Sequence, residues 1–284
     1  MLGMGAMGSR MASRLLDARY DLTVWNRSPE RCAPLAAAGA TVAASPAEAA
    51  AAAEVVLTML ADPAALAAIS EGPSGVAAGV TEGTTVVEMS TVGPAPIRRL
   101  ASCLPPGVRL LDAPVLGSLA EVESGTLKIF AGGPVDTFED CRPLFEALGD
   151  PMHVGELGAG AAAKLVANST LFGALGVLGE ALALADGLGL SRAATFEVLA
   201  STPIAAQAER RRASLESGDY PVRFALSLAV KDAGLVADAG AAARRDLRLA
   251  EAARSWLADA LAAGWGDRDY SSVLERILGA ASET

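Results

Sequence analysis

The stretch Gly3-Met4-Gly5-Ala6-Met7-Gly8 stands at the start of the chain and decides its fold class. It matches the pattern G-x-G-x-x-G and runs directly into residues 9–16, whose composition is typical of a helix. In this pattern the first glycine allows a tight turn, the second lets backbone N–H groups approach a pyrophosphate, and the third permits close helix packing. The motif therefore predicts a dinucleotide-binding loop, with a glycine-rich turn that binds nothing as the alternative when the motif is taken alone.

The rest of the first half alternates short β-branched runs with Ala-rich stretches. Strands are predicted at 21–25, 54–60, 84–89, 109–112 and 126–131, and helices at 7–18, 29–38, 46–53 and 94–103. Such alternation gives a mainly parallel sheet with helices on both faces. From residue 160 onward only helices are predicted, at 161–188, 191–200, 225–241 and 246–262. We therefore expect an α/β, Rossmann-type doubly wound domain at 1–159 and an all-α domain at 160–284.

One feature conflicts with this fold. The first strand of such a domain lies at the centre of the sheet and precedes the first glycine, but only Met1 and Leu2 stand there. A strand usually needs about five residues. We therefore expect that the first strand is truncated in this sequence.

Charge and cysteine usage exclude several classes of function. The formal net charge of −10 argues against a nucleic-acid partner, because phosphate binding needs a positive surface. The three cysteines are widely spaced, which fits neither a disulfide framework nor a zinc site and suits the cytoplasm. His153 is the single histidine, and we expect a structural place for it rather than a catalytic one.

No signal peptide is expected at the N-terminus. The longest apolar run, 165–190, is long enough to span a bilayer, but it contains Asn168, Glu180 and Asp186 and lacks basic flanks. We interpret it as a buried helix and expect no membrane partner.

Asn26-Arg27-Ser28 follows the predicted strand 21–25, about 20 residues after the glycine loop, where the ribose contact is expected. An acidic residue there would accept from the 2′-hydroxyl of NAD and repel a 2′-phosphate. Asn26 carries no charge, while Arg27 offers a guanidinium and Ser28 a hydroxyl, which suits NADP. NADP is therefore favoured and NAD is less expected; a solvated turn arginine is the alternative for Arg27.

Lys164 and Asn168 are four residues apart, so they share one face of the predicted helix. A lysine near the start of a helix that continues into an apolar stretch is unusual and suits proton transfer. A lysine whose ammonium reaches past an apolar surface to water is the alternative.

Several motifs in a fixed order extend this pattern over nearly the whole chain. They are the glycine loop, Asp112-Ala113-Pro114-Val115, the Gly-Thr-Leu at 125–127, the run 158–168 that contains Lys164 and Asn168, and Lys231-Asp232. Together they resemble the β-hydroxyacid dehydrogenases, which include 3-hydroxyisobutyrate dehydrogenase and glyoxylate/succinic semialdehyde reductases. The resemblance implies an NADP-dependent oxidoreductase that interconverts a small 3-hydroxy acid, or another hydroxy acid, and its semialdehyde or oxo acid.

The resemblance also implies roles for individual residues. Lys164 matches the catalytic lysine and Asn168 the asparagine that helps to hold the substrate, while Lys231 matches the lysine that closes over the cofactor and Asp232 fixes that segment. The cofactor contacts implied are Gly3, Met4, Gly5, Ala6, Met7 and Gly8, then Asn26, Arg27 and Ser28, then Met59, Leu60 and Ala61, and then Ser90, Thr91 and Lys231. The family commonly has Pro where Ala61 stands.

The departure lies in the substrate loop, where the family commonly reads Asp-Ala-Pro-Val-Ser-Gly-Gly. This chain has Leu116, Gly117 and Ser118 in the last three places, so an apolar side chain replaces the usual serine hydroxyl. The Ser118 hydroxyl and nearby backbone N–H groups are the candidates to take over. Leu116 therefore affects the choice of substrate and not the class of reaction, and it favours a more apolar substituent on the substrate.

Two other functions stay open at this point: an imine reductase, which shares the architecture, and a non-catalytic NADP-binding scaffold protein. Lys164 favours the hydroxyacid branch over the first. Retention of Lys164 with Asn168 argues against the second, whereas Leu116 and the truncated first strand argue for it. The partner expected is a small carboxylic acid substrate. The family pairs through its helical domain, which implies a homodimer or homotetramer.

Overall fold

The computed structural model describes residues 1–279, and the chain divides into two compact units, Met1–Leu165 and the segment from Val166 onward. The last five residues of the predicted domain 160–284 lie outside the described residues. The helix Ala159–Gly187 contributes its first turns to the first unit and the rest to the second.

Strands β3 (Val55–Thr58), β4 (Thr85–Glu88) and β5 (Arg109–Asp112) form the parallel part of the sheet in the first unit. β6 (Val115–Leu116) and β7 (Leu127–Gly132) extend the sheet, where β7 runs antiparallel to β5 and β6. β8 (Gly149–Gly155) pairs parallel to β7, and β1 (Thr23–Val24) pairs parallel to β2 (Thr41–Val42).

Met1 and Leu2 occupy the central place between β1 and β3. Leu2 forms parallel bridges with Trp25 and Thr58. Its N–H donates to the Leu57 carbonyl at 2.8 Å, and its own carbonyl accepts from the Met59 N–H at 2.9 Å. Met1 and Leu2 therefore form backbone hydrogen bonds to the strands on either side.

Helices of the first unit cover both faces of the sheet. They are α1 (Ala6–Asp17), α2 (Ala33–Ala37), α3 (Pro46–Ala51), α4 (Pro63–Ser70), α5 (Val76–Gly79), α6 (Pro94–Cys103), α7 (Leu119–Ser124) and α8 (Val135–Leu148), with a short 3-10 helix at Pro29–Cys32. Alternation along β4 divides the core, because Val87 packs in the cluster with Met11 and Phe138, whereas Val86 packs in the cluster with Leu66 and Ile97. The Rossmann-type α/β class is confirmed.

The second unit is helical, as predicted. It contains the main part of α9 (Ala159–Gly187), then α10 (Arg192–Ala200), α11 (Ala205–Ser217), α12 (Leu226–Ala242), α13 (Arg248–Ala262) and α14 (Val273–Gly279), with a 3-10 turn at Tyr270–Ser272. Its core includes Phe172, Leu175, Leu178 and Leu182 from α9. The length and composition of α9 alone would allow it to cross a membrane, but these four side chains are buried in the protein core.

Several elements differ from the sequence prediction. The strand predicted at 21–25 is only two residues long, and β8 and the helices α8 and α11 were not predicted. β8 contains Gly, Pro and charged residues instead of a β-branched run, and α8 carries Pro143 in its interior. Tertiary pairing and packing override weak local preference in such segments.

Candidate functional site

The glycine loop joins the bridge at Leu2 to α1. Gly3 has φ +96°, and a Cβ there would lie 2.2 Å from the Met59 carbonyl oxygen. A Cβ on Gly8 would lie 2.0 Å from the Gly3 carbonyl oxygen. Both positions therefore require glycine for the fold itself, because a side chain would collide with backbone atoms.

Gly5 is different, because it has φ −73° and a Cβ added there would meet no protein atom within 4 Å. Nothing within the fold demands glycine at this place. Gly5 is the N-cap of α1, no side chain caps this helix end, and its first turn carries no acidic residue. An open space beside uncapped N–H groups at a helix N-terminus fits the pyrophosphate of a dinucleotide.

Asn26 links this loop to the segment after β1. Its Oδ1 accepts from the Met4 N–H at 2.9 Å, and its Nδ2 donates to the Ser28 carbonyl at 2.9 Å. Arg27 between them is exposed. The structure thus brings Asn26, Arg27 and Ser28 beside the glycine loop, with Asn26 fixing the backbone and the Arg27 guanidinium at the surface.

A second loop follows β3. The Leu60 N–H donates to Ser90 Oγ at 2.7 Å, and the Ser90 N–H donates to Glu88 Oε1 at 2.7 Å. Thr58 Oγ1 also donates to the Glu88 carboxylate, which is fully buried. The Glu88 carboxylate therefore links the end of β3 at Thr58 to the backbone of Ser90. Ser90 in turn accepts from the Leu60 N–H. Sequence reasoning missed Glu88, although an acidic residue at the end of an apolar strand was the available signal.

Lys164 lies in the second turn of α9 and is buried, with 8% of its surface exposed. The N-terminus of this helix is held by Asp112, the last residue of β5, which is also fully buried. Asp112 Oδ1 accepts from the Gly158 N–H at 2.7 Å, and Oδ2 accepts from the Ala161 N–H at 2.6 Å. Burial raises the pKa of Asp112 to about 6, although these backbone N–H groups act in the opposite direction.

In the second unit, Asn168 and Asp232 are buried partners. Asn168 Nδ2 donates to Asp232 Oδ2 at 2.9 Å, and Lys231 Nζ lies 2.6 Å from Asp232 Oδ1. Only 4% of the Asp232 side chain is exposed, so the carboxylate of this ion pair is buried. The carboxylate of Asp232 therefore orients the Asn168 amide and the Lys231 ammonium together.

The loop of Leu116, Gly117 and Ser118 connects β6 to α7. Leu116 is half-buried, and Gly117 has φ +148°. The Ser118 hydroxyl donates to Glu121 Oε2 at 2.5 Å, and the Ser118 N–H donates to the same oxygen at 2.7 Å. This is a capping box at the start of α7. The Ser118 hydroxyl and N–H, considered above as substitutes for the usual serine, therefore already have a carboxylate partner.

Other reactive side chains have structural surroundings. His153 lies on β8, where its Nε2 donates to the Gly133 carbonyl at 2.8 Å and its ring packs 5.3 Å from the Phe138 ring. All three cysteines are free, and burial raises the pKa of Cys141 to about 11. Within residues 1–279, no group of three or more His, Cys, Asp or Glu side chains could hold a metal ion.

Comparison with known proteins gives matches over nearly the whole chain. Residues 1–158 match the family model described as the NAD binding domain of 6-phosphogluconate dehydrogenase, and residues 158–277 match the one described as NAD-binding of NADP-dependent 3-hydroxyisobutyrate dehydrogenase. Glyoxylate/succinic semialdehyde reductase 2, chloroplastic, of Arabidopsis thaliana is 32% identical over 284 residues, which cover 99% of this chain and 79% of that protein.

Solved structures agree with these matches. The 3-hydroxyisobutyrate dehydrogenase of Mycobacterium tuberculosis with L-serine has a TM-score of 0.89 and 30% identity, with 97% of each chain covered. An imine reductase from Pseudomonas sp. is also similar, with a TM-score of 0.62, 27% identity and 96% of each chain covered.

Proposed function

The chain belongs to the β-hydroxyacid dehydrogenase family, and on this premise we propose that it interconverts a small hydroxy acid and its semialdehyde or oxo acid with NADP. The single observation that carries the proposal is the burial of Lys164 in the same unit as the glycine loop. A lysine ammonium removed from bulk water is suited to exchanging a proton with one oxygen atom of a bound molecule.

The glycine loop supports a dinucleotide cofactor. The space beside Gly5 contains no protein atom within 4 Å of the place that a methyl group on this residue would take, so a ligand can occupy it. The N-terminus of α1 presents N–H groups to an anion at the same place. We propose NADP over NAD because Asn26 places no negative charge beside the ribose and Arg27 is available at the surface for a 2′-phosphate. Such a cofactor supplies the hydride.

Lys164 has the central chemical role in this proposal. In reduction its ammonium gives a proton to the oxygen of the substrate carbonyl as that oxygen becomes an alkoxide, and in oxidation its amine accepts the proton from the hydroxyl. A buried positive charge also stabilises the negative charge that develops on this oxygen. The rest of the protein positions Lys164 and excludes water.

Asn168 and Lys231 are the supporting binding residues that we propose. Because Asp232 accepts from the Asn168 amide N–H, the orientation of that amide is fixed, and we propose that its Oδ1 accepts from a substrate hydroxyl. Asp232 also restrains the Lys231 ammonium, which we expect to close over the cofactor. Asp232→Asn would weaken both arrangements.

The substrate loop narrows the expected substrate. Leu116 has no hydrogen-bonding group, and the Ser118 hydroxyl and N–H both donate to Glu121. A carboxylate at this loop would meet fewer donors than the family pattern provides, and it would lie near the negative charge of Glu121. We therefore propose a substrate whose substituent at this loop is more apolar than that of glyoxylate.

We also propose that the enzyme acts in the cytoplasm as a homodimer or homotetramer. The experiment that tests the function measures oxidation of NADPH and of NADH with glyoxylate, succinic semialdehyde, methylmalonate semialdehyde and a cyclic imine. Turnover of an aldehyde with NADPH supports the proposal. Preferred turnover of the imine would make the chain an imine reductase, and tight NADPH binding without any turnover would make it a binding protein.

Lys164→Ala is the decisive variant, with Lys128→Ala as its control because Lys128 lies at the surface in an ion pair with Asp150. We expect Lys164→Ala to lose turnover by at least about a thousandfold while NADPH binding stays within about threefold. Substantial turnover by this variant would remove Lys164 from the mechanism.

A further inference from the structure

Asp112 occupies an unusual place for a helix cap. A helix is usually capped by the residue just before it. Here the carboxylate comes from the end of β5 and accepts from the N–H groups of Gly158 and Ala161, at 2.7 and 2.6 Å, where α9 begins. The cap therefore ties the helix that carries Lys164 directly to the sheet.

Two glycines make this attachment close. A Cβ on Gly160 would lie 2.2 Å from the Phe130 carbonyl oxygen and 2.3 Å from the Asp112 carbonyl oxygen. A Cβ on Gly132 would lie 2.6 Å from Asp112 Oδ1. Backbone of α9 thus lies against β5 and β7 with no space for a side chain, and the carboxylate of Asp112 is held within this contact.

The position of Lys164 follows from the same turn. In an α-helix the Lys164 N–H donates to the Gly160 carbonyl, and Lys164 lies about 4.5 Å along the axis from Ala161. A shift of the first turn would therefore move the ammonium of Lys164. The two carboxylate oxygens of Asp112, at the end of β5, hold that turn at the N–H groups of Gly158 and Ala161.

The last residues of β3, β4 and β5 also position the second loop that we propose for the cofactor. Thr58, Glu88 and Asp112 are register partners at the ends of three neighbouring strands. Glu88 holds the Ser90 N–H, and Ser90 in turn accepts from the Leu60 N–H. One row of residues therefore positions the second cofactor loop through Glu88 and the helix of Lys164 through Asp112.

We propose that Asp112 is a positioning residue that fixes the distance between the Lys164 ammonium and the reacting oxygen by anchoring the start of α9 to β5. This inference rests on the proposed function, since it concerns the proton transfer assigned to Lys164. A carboxylate is required because both of its oxygens accept from N–H groups. The amide of Asn could serve only one of these groups and would turn its own NH₂ towards the other.

The test is Asp112→Asn in the full-length protein. Misplacement of a catalytic group by about 1 Å can cost on the order of a hundredfold in rate. We expect kcat to fall at least about tenfold, with the KM and Kd for NADPH unchanged within about threefold. Lys164→Ala is measured in parallel.

Asp269→Asn is the matched control, because Asp269 is also buried and accepts from the N–H groups of Arg223, Phe224 and Ser271 in the second unit. It should lower the Tm at least as much as Asp112→Asn but keep kcat within about threefold. An equal fall in kcat for both variants would show that Asp112 is only structural, and a wild-type kcat for Asp112→Asn would also overturn the inference. If Lys164→Ala stays active, the proposed function itself fails.

Discussion

At the scale of single residues, the three glycines of the loop have different reasons to be glycine. Gly3 and Gly8 face backbone atoms at 2.2 and 2.0 Å, whereas Gly5 faces open space. The fold requires glycine at the first two positions, and we propose that a ligand requires it at Gly5. The sequence pattern alone assigned these roles, and the distances now support the assignment.

Substitution by alanine separates these roles. Gly5→Ala should leave the Tm of the free protein within a few degrees, because the new methyl group contacts nothing, but should weaken NADPH binding at least about tenfold by occupying space for the pyrophosphate. Gly8→Ala should lower the Tm of the free protein clearly. Thermal unfolding and fluorescence titration measure both quantities. Equal losses of Tm for the two variants would contradict the assignment.

Arg27 is the residue that we propose to favour NADP over NAD, because its exposed guanidinium can bind a 2′-phosphate. Arg27→Ala should raise the KM for NADPH about tenfold or more and leave the KM for NADH nearly unchanged, since only NADPH carries the 2′-phosphate. Arg31→Ala, a neighbouring exposed arginine, is the control. Steady-state kinetics with both cofactors measure the effect, and an equal change for both cofactors would exclude a phosphate contact.

At the scale of elements, the start of α9 holds a buried carboxylate whose pKa is raised to about 6 by burial. Asp ordinarily has a pKa near 3.8. The folded state therefore binds this proton more tightly than the unfolded state, so this group adds stability as the pH falls from about 7 to 4 and loses that contribution as the pH rises through about 6. At neutral pH the ionised carboxylate therefore lowers the stability of the folded state. In the proposal above, the same carboxylate fixes the position of the start of α9.

The prediction concerns the difference in free energy of unfolding between wild type and Asp112→Asn. This difference should shift in favour of wild type by about 1 kcal/mol between pH 7 and pH 5, because only wild type gains a proton there. Urea unfolding of the first unit is followed by Trp25 in a background of Trp256→Phe and Trp265→Phe. No shift, or a shift of opposite sign, would contradict the prediction.

At the scale of the whole molecule, α9 carries a row of exposed apolar side chains. Val166, Val177 and Leu184 are 66%, 49% and 64% exposed. Their spacings of about 11 and 7 residues place them on one face of the helix. Exposed apolar rows of this kind are typical of surfaces that bind another protein, which agrees with the oligomer that we propose.

Leu184→Glu should therefore shift the protein from oligomer to monomer, because a charge would be buried in the interface. Leu249→Glu is the control, since Leu249 is 75% exposed on a different helix. Size-exclusion chromatography with light scattering measures the mass of each. An unchanged oligomer for Leu184→Glu would show that this row is not the interface.

Local patterns in the sequence were enough to predict the class of the fold, the glycine loop, the helical second half and the candidate residues Lys164 and Asn168. These features depend on local periodicity, on glycine conformation and on residue spacing, which a single chain displays directly. The sequence did not reveal β8 or α8, whose local preferences are weak.

The tertiary structure brings into hydrogen-bond contact residues that are far apart in the sequence. Asp112 lies more than 40 positions before Gly158, Glu88 lies about 30 positions after Thr58, and Asp232 lies 64 positions after Asn168. Such contacts are set by strand order and helix packing, so no local pattern encodes them. Ser118 is the opposite case, because its partner Glu121 lies three residues further along the chain and the Ser-x-x-Glu capping box is a local signal that the sequence displays.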